Sequence, residues 1–178
     1  LLLNCPEHVI AFYGLLKLGA ILTPISPVYA SPEIKHQLID SGAKAIVCQD
    51  IFLEKVEKTG VTLDTVIITN ISESLPLAKK LIGKSILRGI YQKMAVPPRS
   101  ILKKNGFYEM SDLIKKDPST IPKSEIDVKE DVVQLPYTGG TTGNPKGVML
   151  THYNHLASLS IVKAFYPFWE DGEESWLS

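Results

Sequence analysis

The chain has 178 residues, 44% of them apolar, and its 19 Lys plus Arg balance 19 Asp plus Glu. That length fits one domain or part of one, with enough apolar material for a sizeable core, and the zero net charge argues against a nucleic-acid binder of the basic type. Two cysteines, Cys5 and Cys48, are too few for a disulfide framework; both lie in apolar settings and are expected to be buried reduced thiols of a reducing compartment.

Leu1–Leu3 reads as a strand; three leucines without a basic flank do not make a signal peptide. A helix is predicted from Pro6 to Leu18, with Pro6 at a first-turn position where its missing N–H costs nothing and Gly19 as the stop. The apolar run from Val9 to Leu22 is broken by Lys17 and Gly19, so it reads as a buried helix followed by a buried strand, Ala20–Pro24, rather than a membrane span. Mutations at Leu16 or Ile21 should therefore harm stability, not chemistry. Ser31-Pro32-Glu33 opens the next helix, with Ser31 as cap, running to about Ser41 and ending at Gly42. A strand over Lys44–Cys48, a helix capped by Asp50 and reaching about Lys58, and a strand over Thr65–Thr69 follow. Short apolar strands alternating with amphipathic helices predict an α/β fold, a mostly parallel sheet flanked by helices.

Between Ser74 and Asn105 the rhythm breaks: eight cations occur there and no acid, leaving 11 cations against 19 acids elsewhere. Ala78–Met94 could be helical, but its lysines and its Leu/Ile residues interleave around the helix. A solvated surface insertion is the favoured reading of 74–104; a peripheral contact with anionic lipid heads is the sharper alternative. Phe107–Met110 reads as a short strand, Ser111–Lys116 as a short helix and Asp117–Ser124 as linker. Asp131–Leu135 is a strand, a helix follows Thr151, and the chain stops within a strand at Trp176–Ser178. The expected organisation is an α/β sheet subdomain over 1–73, a basic insertion and linker over 74–130, and a phosphate-loop hairpin with the start of a second sheet over 131–178.

The most informative segment is Tyr137-Thr138-Gly139-Gly140-Thr141-Thr142-Gly143-Asn144-Pro145-Lys146-Gly147-Val148. It concentrates glycines, threonine hydroxyls and one lysine after the apolar stretch Val132–Leu135. Glycines let backbone approach a ligand closely, free N–H groups and hydroxyls donate, and lysine adds a compact positive charge. A polyphosphate suits that set. The segment lacks the Gly-Lys-Ser/Thr order of a helix-based phosphate loop, and Val148-Met149-Leu150 reads as a strand. A hairpin with Asn144-Pro145 in the turn is expected. His152 and His155 share a helix face but lack a third ligand nearby, so packing or capping outweighs metal binding. His8 and His36 read as ordinary surface or core residues of helices, and Glu170-Asp171-Gly172-Glu173-Glu174 as a solvated turn.

Tyr137 to Val148 resembles the phosphate-loop signature of the adenylate-forming (AMP-binding) superfamily of acyl-CoA synthetases, luciferases and adenylation domains. Gly14-Leu15-Leu16-Lys17-Leu18-Gly19-Ala20-Ile21-Leu22-Thr23-Pro24-Ile25-Ser26-Pro27 is similar to that superfamily's helix-to-strand core motif, and Asn4-Cys5-Pro6-Glu7 to the lead-in of the same helix. Gly139 stands where many members carry serine, a variant similar to that of long-chain fatty-acid–CoA ligases.

The resemblance implies part of the large N-terminal domain of an acyl-CoA synthetase-like fold, and a parent enzyme that joins a carboxylic acid to ATP and then to CoA. Substrates would be a medium- or long-chain fatty acid, ATP and CoA, with an aryl or amino acid as alternatives. Phosphate contacts are expected at Thr138, Gly139, Gly140, Thr141, Thr142, Gly143 and Lys146, with Thr138 also facing Mg²⁺. The reduced thiols point to a cytoplasmic protein, the basic stretch 74–104 makes membrane association the alternative, and a homodimer is a further expectation. Family members are roughly three times longer, and nothing here resembles their downstream motifs. The 178 residues alone are thus expected not to turn over, and a non-catalytic phosphate-binding module describes them in isolation.

Overall fold

In the computed structural model, which describes residues 1–70, 104–116, 124–139, 144–166 and 168, Pro6 opens helix α1 (Pro6–Lys17). Gly19, with φ of +67°, turns the chain out of it. The helix expected over 78–94, nearly all of the basic stretch, the linker centre, the acidic turn and the strand at Trp176–Ser178 lie outside the described residues. Among the described residues no helix is long and apolar enough to cross a membrane.

Helix α2 (Ser31–Asp40) is capped one residue earlier than expected. Ala30 is the N-cap, and its N–H donates to Glu33 Oε2 at 2.7 Å. Ser31 sits inside the first turn because the Glu33 carboxylate takes over the capping task. Strand β1 (Ala45–Gln49), a 3₁₀ turn at Asp50–Phe52 and helix α3 (Leu53–Glu57) follow, then strand β2 (Thr65–Thr69). Asp50 accepts from Ile51 N–H at 2.8 Å and is the first residue of the 3₁₀ turn, not the cap of an α-helix. Strand β3 (Phe107–Glu109) and helix α4 (Met110–Ile114) complete the first layer.

The sheet runs β1-β2-β3 and every pair is parallel, from Ala45 opposite Thr65 to Gln49 opposite Thr69, and from Val66 opposite Phe107 to Ile68 opposite Glu109. Ile46, Cys48, Val66 and Ile68 are buried, alternate positions on paired strands. Ile34 and Leu38 of α2 and Leu53 and Val56 of α3 join them in one apolar cluster. Ile34 is fully buried; truncating such a side chain to alanine typically costs about 2–5 kcal/mol. The Cys48 thiol is pushed up to about 12 by its burial, while Cys5 is only partly buried. A thiol so raised is protonated and unreactive at neutral pH.

Three further expectations need correction. Leu1–Leu3 forms no strand of its own, although Leu1 exchanges backbone hydrogen bonds with Val47 and Gln49. Ala20–Pro24 shrinks to a single parallel bridge, Leu22 to Gln134. The apolar residues of the Val9–Leu22 run are not all interior: Val9 is 55% exposed and Ile21 also 55%, so Ile21 has little to lose on truncation. Ile10 and Tyr13 of α1 are exposed as well, and only Glu7 of the helix is buried.

Gly106 lies at φ +85°, and a Cβ there would stand 2.7 Å from the Asp64 carbonyl oxygen. Gly42 has a similar φ, +63°, with nothing within 4 Å of a Cβ. Alanine at Gly42 should therefore cost about 1–2 kcal/mol, the left-handed backbone alone. At Gly106 it should cost distinctly more, since the carbonyl that blocks the methyl is fixed backbone beside β2. Denaturant unfolding of the two variants checks this; equal losses would contradict it.

Candidate phosphate-binding hairpin

Strand β4 (Val132–Gln134) carries the chain toward the Gly/Thr-rich segment. It bonds on one side to Leu22, whose N–H donates to Val133 O at 2.9 Å and whose carbonyl accepts from Leu135 N–H at 2.8 Å. On the other side it pairs antiparallel with β7 (Leu150–Thr151). Between them, β5 (Tyr137–Thr138) and β6 (Lys146–Gly147) form a separate antiparallel ribbon. A hairpin is thus what the segment makes, but the strand read over Val148–Leu150 is split. Val148 N–H closes the ribbon onto Pro136 O at 2.9 Å, and pairing with β4 resumes only at Leu150. Thr151 then caps helix α5 (His152–Phe165), accepting from Asn154 N–H at 3.3 Å while its own N–H donates to Asn154 Oδ1 at 2.8 Å.

Thr138 lies directly opposite Lys146, and both are exposed. Directly opposed residues of an antiparallel pair leave the ribbon on the same face, so the hydroxyl and the ammonium lie on one side of it. Gly139 follows Thr138, is exposed, and among the described residues has nothing within 4 Å of where a Cβ would stand. Protein packing would therefore admit a serine at this position. Of the expected contact residues the structure brings Thr138, Gly139 and Lys146 together; Gly140, Thr141, Thr142 and Gly143 lie outside the described residues. Among the described residues no group of three or more His, Cys, Asp or Glu could hold a metal ion.

The ribbon is held at its base by groups that sequence reading passed over. His36 Nε2 donates to Pro145 O at 2.9 Å, and Tyr137 OH donates to Asp40 Oδ2 at 2.6 Å. The His36 and Tyr137 rings meet edge to face, 6.2 Å between centroids. Below them Gln37 Nε2 donates to Thr23 Oγ1 at 2.7 Å and Pro24 O at 3.0 Å, and Thr23 Oγ1 donates to Leu135 O at 2.9 Å. His36 and Asp40 share a helix face by their four-residue spacing. That spacing was legible; the partner roughly a hundred residues away was not.

Burial, and then the Asp40 carboxylate that accepts its proton, push the Tyr137 phenol up to about 12. The protonated phenol is the form that makes the bond, so its contribution is complete below about 10, where a free tyrosine titrates, and disappears as pH rises through about 12. Ultraviolet titration of wild type against Tyr137→Phe should show the removed tyrosine as a late-ionising one. A difference curve centred near 10 would contradict the contact.

The family model for AMP-binding enzymes matches residues 1–178. A long-chain-fatty-acid–CoA ligase of Bacillus subtilis is 36% identical over 176 residues, covering 96% of this chain and 30% of that protein. The Salmonella typhimurium enzyme of the same name is 40% identical over 176 residues with the same coverage. Among solved structures, the anthranilate CoA ligase AuaEII in complex with anthranoyl-AMP shares the fold at a TM-score of 0.64 and 24% identity, over 89% of this chain and 26% of that one. The chain thus spans about 30% of the length of these curated relatives. With the hairpin in place and the family match running along all 178 residues, the chain belongs to the AMP-binding enzyme family.

Proposed function

We propose that this chain is the phosphate-loop portion of an ATP-dependent acid–thiol ligase acting on medium- or long-chain fatty acids. One observation carries the reading. A short antiparallel ribbon pairs Thr138 with Lys146, so that both exposed side chains leave it on one face, at the two ends of a glycine-rich segment. That is a donor set for phosphate oxygens. The exposed surface around Gly139 leaves room for a ligand to approach the backbone. The fatty-acid preference is supported by the two ligases at 36% and 40% identity, and by glycine rather than serine at position 139.

The chemistry has two steps. A carboxylate oxygen attacks the α-phosphorus of ATP, forming an acyl-adenylate as the bond to pyrophosphate breaks. The CoA thiolate then attacks the acyl carbon and AMP leaves. The first step brings an anion toward a highly anionic molecule. Thr138 and Lys146 counter that charge at the β- and γ-phosphates with donors already in place, which costs no reorganisation when the leaving group departs. Gly139 contributes its backbone N–H. Gly140, Thr141, Thr142 and Gly143 would extend the same cradle, and Pro145 and Gly147 shape it. Mg²⁺, when bound, neutralises part of the phosphate charge; the Thr138 hydroxyl is the oxygen this hairpin would offer it. A reducing cytoplasmic setting suits the two free thiols.

Removing one electrostatic donor of this kind typically lowers the rate by about 10²–10³-fold. Lys146→Ala in the full-length enzyme should reduce fatty-acid-dependent pyrophosphate exchange by that order. An unchanged exchange rate would remove Lys146 from the role and with it the main support for the reading.

A further inference from the structure

Helix α2 reaches the hairpin through two side chains one turn apart, and each holds a different arm. Asp40 accepts the Tyr137 hydroxyl at 2.6 Å on the β5 arm, while His36 Nε2 donates to Pro145 O at 2.9 Å beside the β6 arm. Gly147 lies opposite Tyr137 in the ribbon, and a Cβ there would stand 3.2 Å from two atoms of the Tyr137 ring. A side chain at 147 would therefore crowd the Tyr137 ring, which would have to shift by a few tenths of an ångström. The helix that supplies both groups is itself anchored, with Ile34 fully buried and Leu38 2% exposed in the core cluster.

We propose that His36 and Asp40 are positioning residues for triphosphate capture. They grip the two arms of the hairpin from a core-anchored helix, and so set the spacing and angle at which Thr138 and Lys146 meet the phosphates. This rests on the ligase reading above. Neither residue touches ATP in this account; both act through Tyr137 and Pro145. A two-residue ribbon has little stiffness of its own, whereas a donor pair loses most of its value when displaced by about an ångström. The grip therefore matters more to nucleotide affinity than to global stability, because each bond is partly solvent-exposed and contributes only modestly to folding.

The test uses the full-length enzyme with His36→Ala, His36→Gln and Tyr137→Phe. Each loss of a single hydrogen bond should raise the KM for ATP about three- to tenfold. The KM for the fatty acid and the thermal midpoint should stay near wild type. His36→Gln places an amide N–H close to the imidazole Nε2 position and should recover most of the ATP affinity lost in His36→Ala. Tyr137→Phe keeps the ring and removes only the hydroxyl, so it carries the test even if His36→Ala does not fold. Equal rises in KM for both substrates together with a lowered midpoint would overturn the proposal in favour of a general structural role, and so would wild-type KM for ATP in both His36→Gln and Tyr137→Phe alongside a folded His36→Ala with the same value. Lys146→Ala measured in parallel separates two failures. If it loses exchange while the grip variants bind ATP normally, the positioning role is wrong and the ligase reading stands. If Lys146→Ala itself exchanges normally, the ligase reading falls.

Discussion

A ribbon with two residues in each strand cannot hold its own shape. Paired in isolation, Tyr137–Thr138 and Lys146–Gly147 would contribute too few hydrogen bonds and too little buried surface to stay in register. Everything the hairpin can do depends on what grips it from outside. Two sets of contacts do so. Leu22 and Thr23 bond to the backbone of Val133 and Leu135 on the way into the ribbon, and α2 holds both arms through Asp40 and His36. Gln37, 1% exposed, ties these sets together by bonding Thr23 and Pro24 from the same helix.

The arrangement places rigidity and exposure at opposite ends of one short path. At the buried end, α2 packs Ile34 and Leu38 against a parallel sheet whose inward positions are Ile46, Cys48, Val66 and Ile68. At the open end stand Thr138, Gly139 and Lys146, all exposed. On the function proposed above, a donor pair for an anionic ligand has to remain solvated until the ligand arrives, so it cannot be buried to stabilise it. Holding its base from an anchored helix is the available solution. The same reasoning gives Gly147 a role that ligand contact would not: it keeps space for the Tyr137 ring.

Local features were legible in the sequence, and distant ones were not. Thr65–Thr69 forms the strand expected of it, and Lys44–Cys48 moves by one residue to Ala45–Gln49, because β-branched and apolar runs bounded by turn residues mark buried parallel strands clearly. The hairpin was legible because its glycines, threonines and lysine made no sense as an ordinary turn. The cap of α2 was misplaced, since serine is the stronger capping residue in general and only the reach of the Glu33 carboxylate moved the cap to Ala30. The long apolar run through α1 suggested more burial than it has; periodicity reports that a helix can bury a face, not that a neighbour covers it. His36 read as unremarkable because its partner, the Pro145 carbonyl, is a backbone atom with no signature at all. Likewise, nothing in Leu22-Thr23-Pro24 says that it lies against residues 133–135. Gly106 gave no sign either, because what it avoids is the Asp64 carbonyl across a gap in sequence.

We propose above that a polyphosphate sits on the ribbon at Thr138 and Lys146. The most direct measurement is a crystal structure of the full-length polypeptide with a non-hydrolysable ATP analogue. In that structure the β- and γ-phosphate oxygens should lie within hydrogen-bond reach of Thr138 Oγ1 and Lys146 Nζ, with Tyr137 still bonded to Asp40. A triphosphate bound elsewhere, with this hairpin empty, would contradict it.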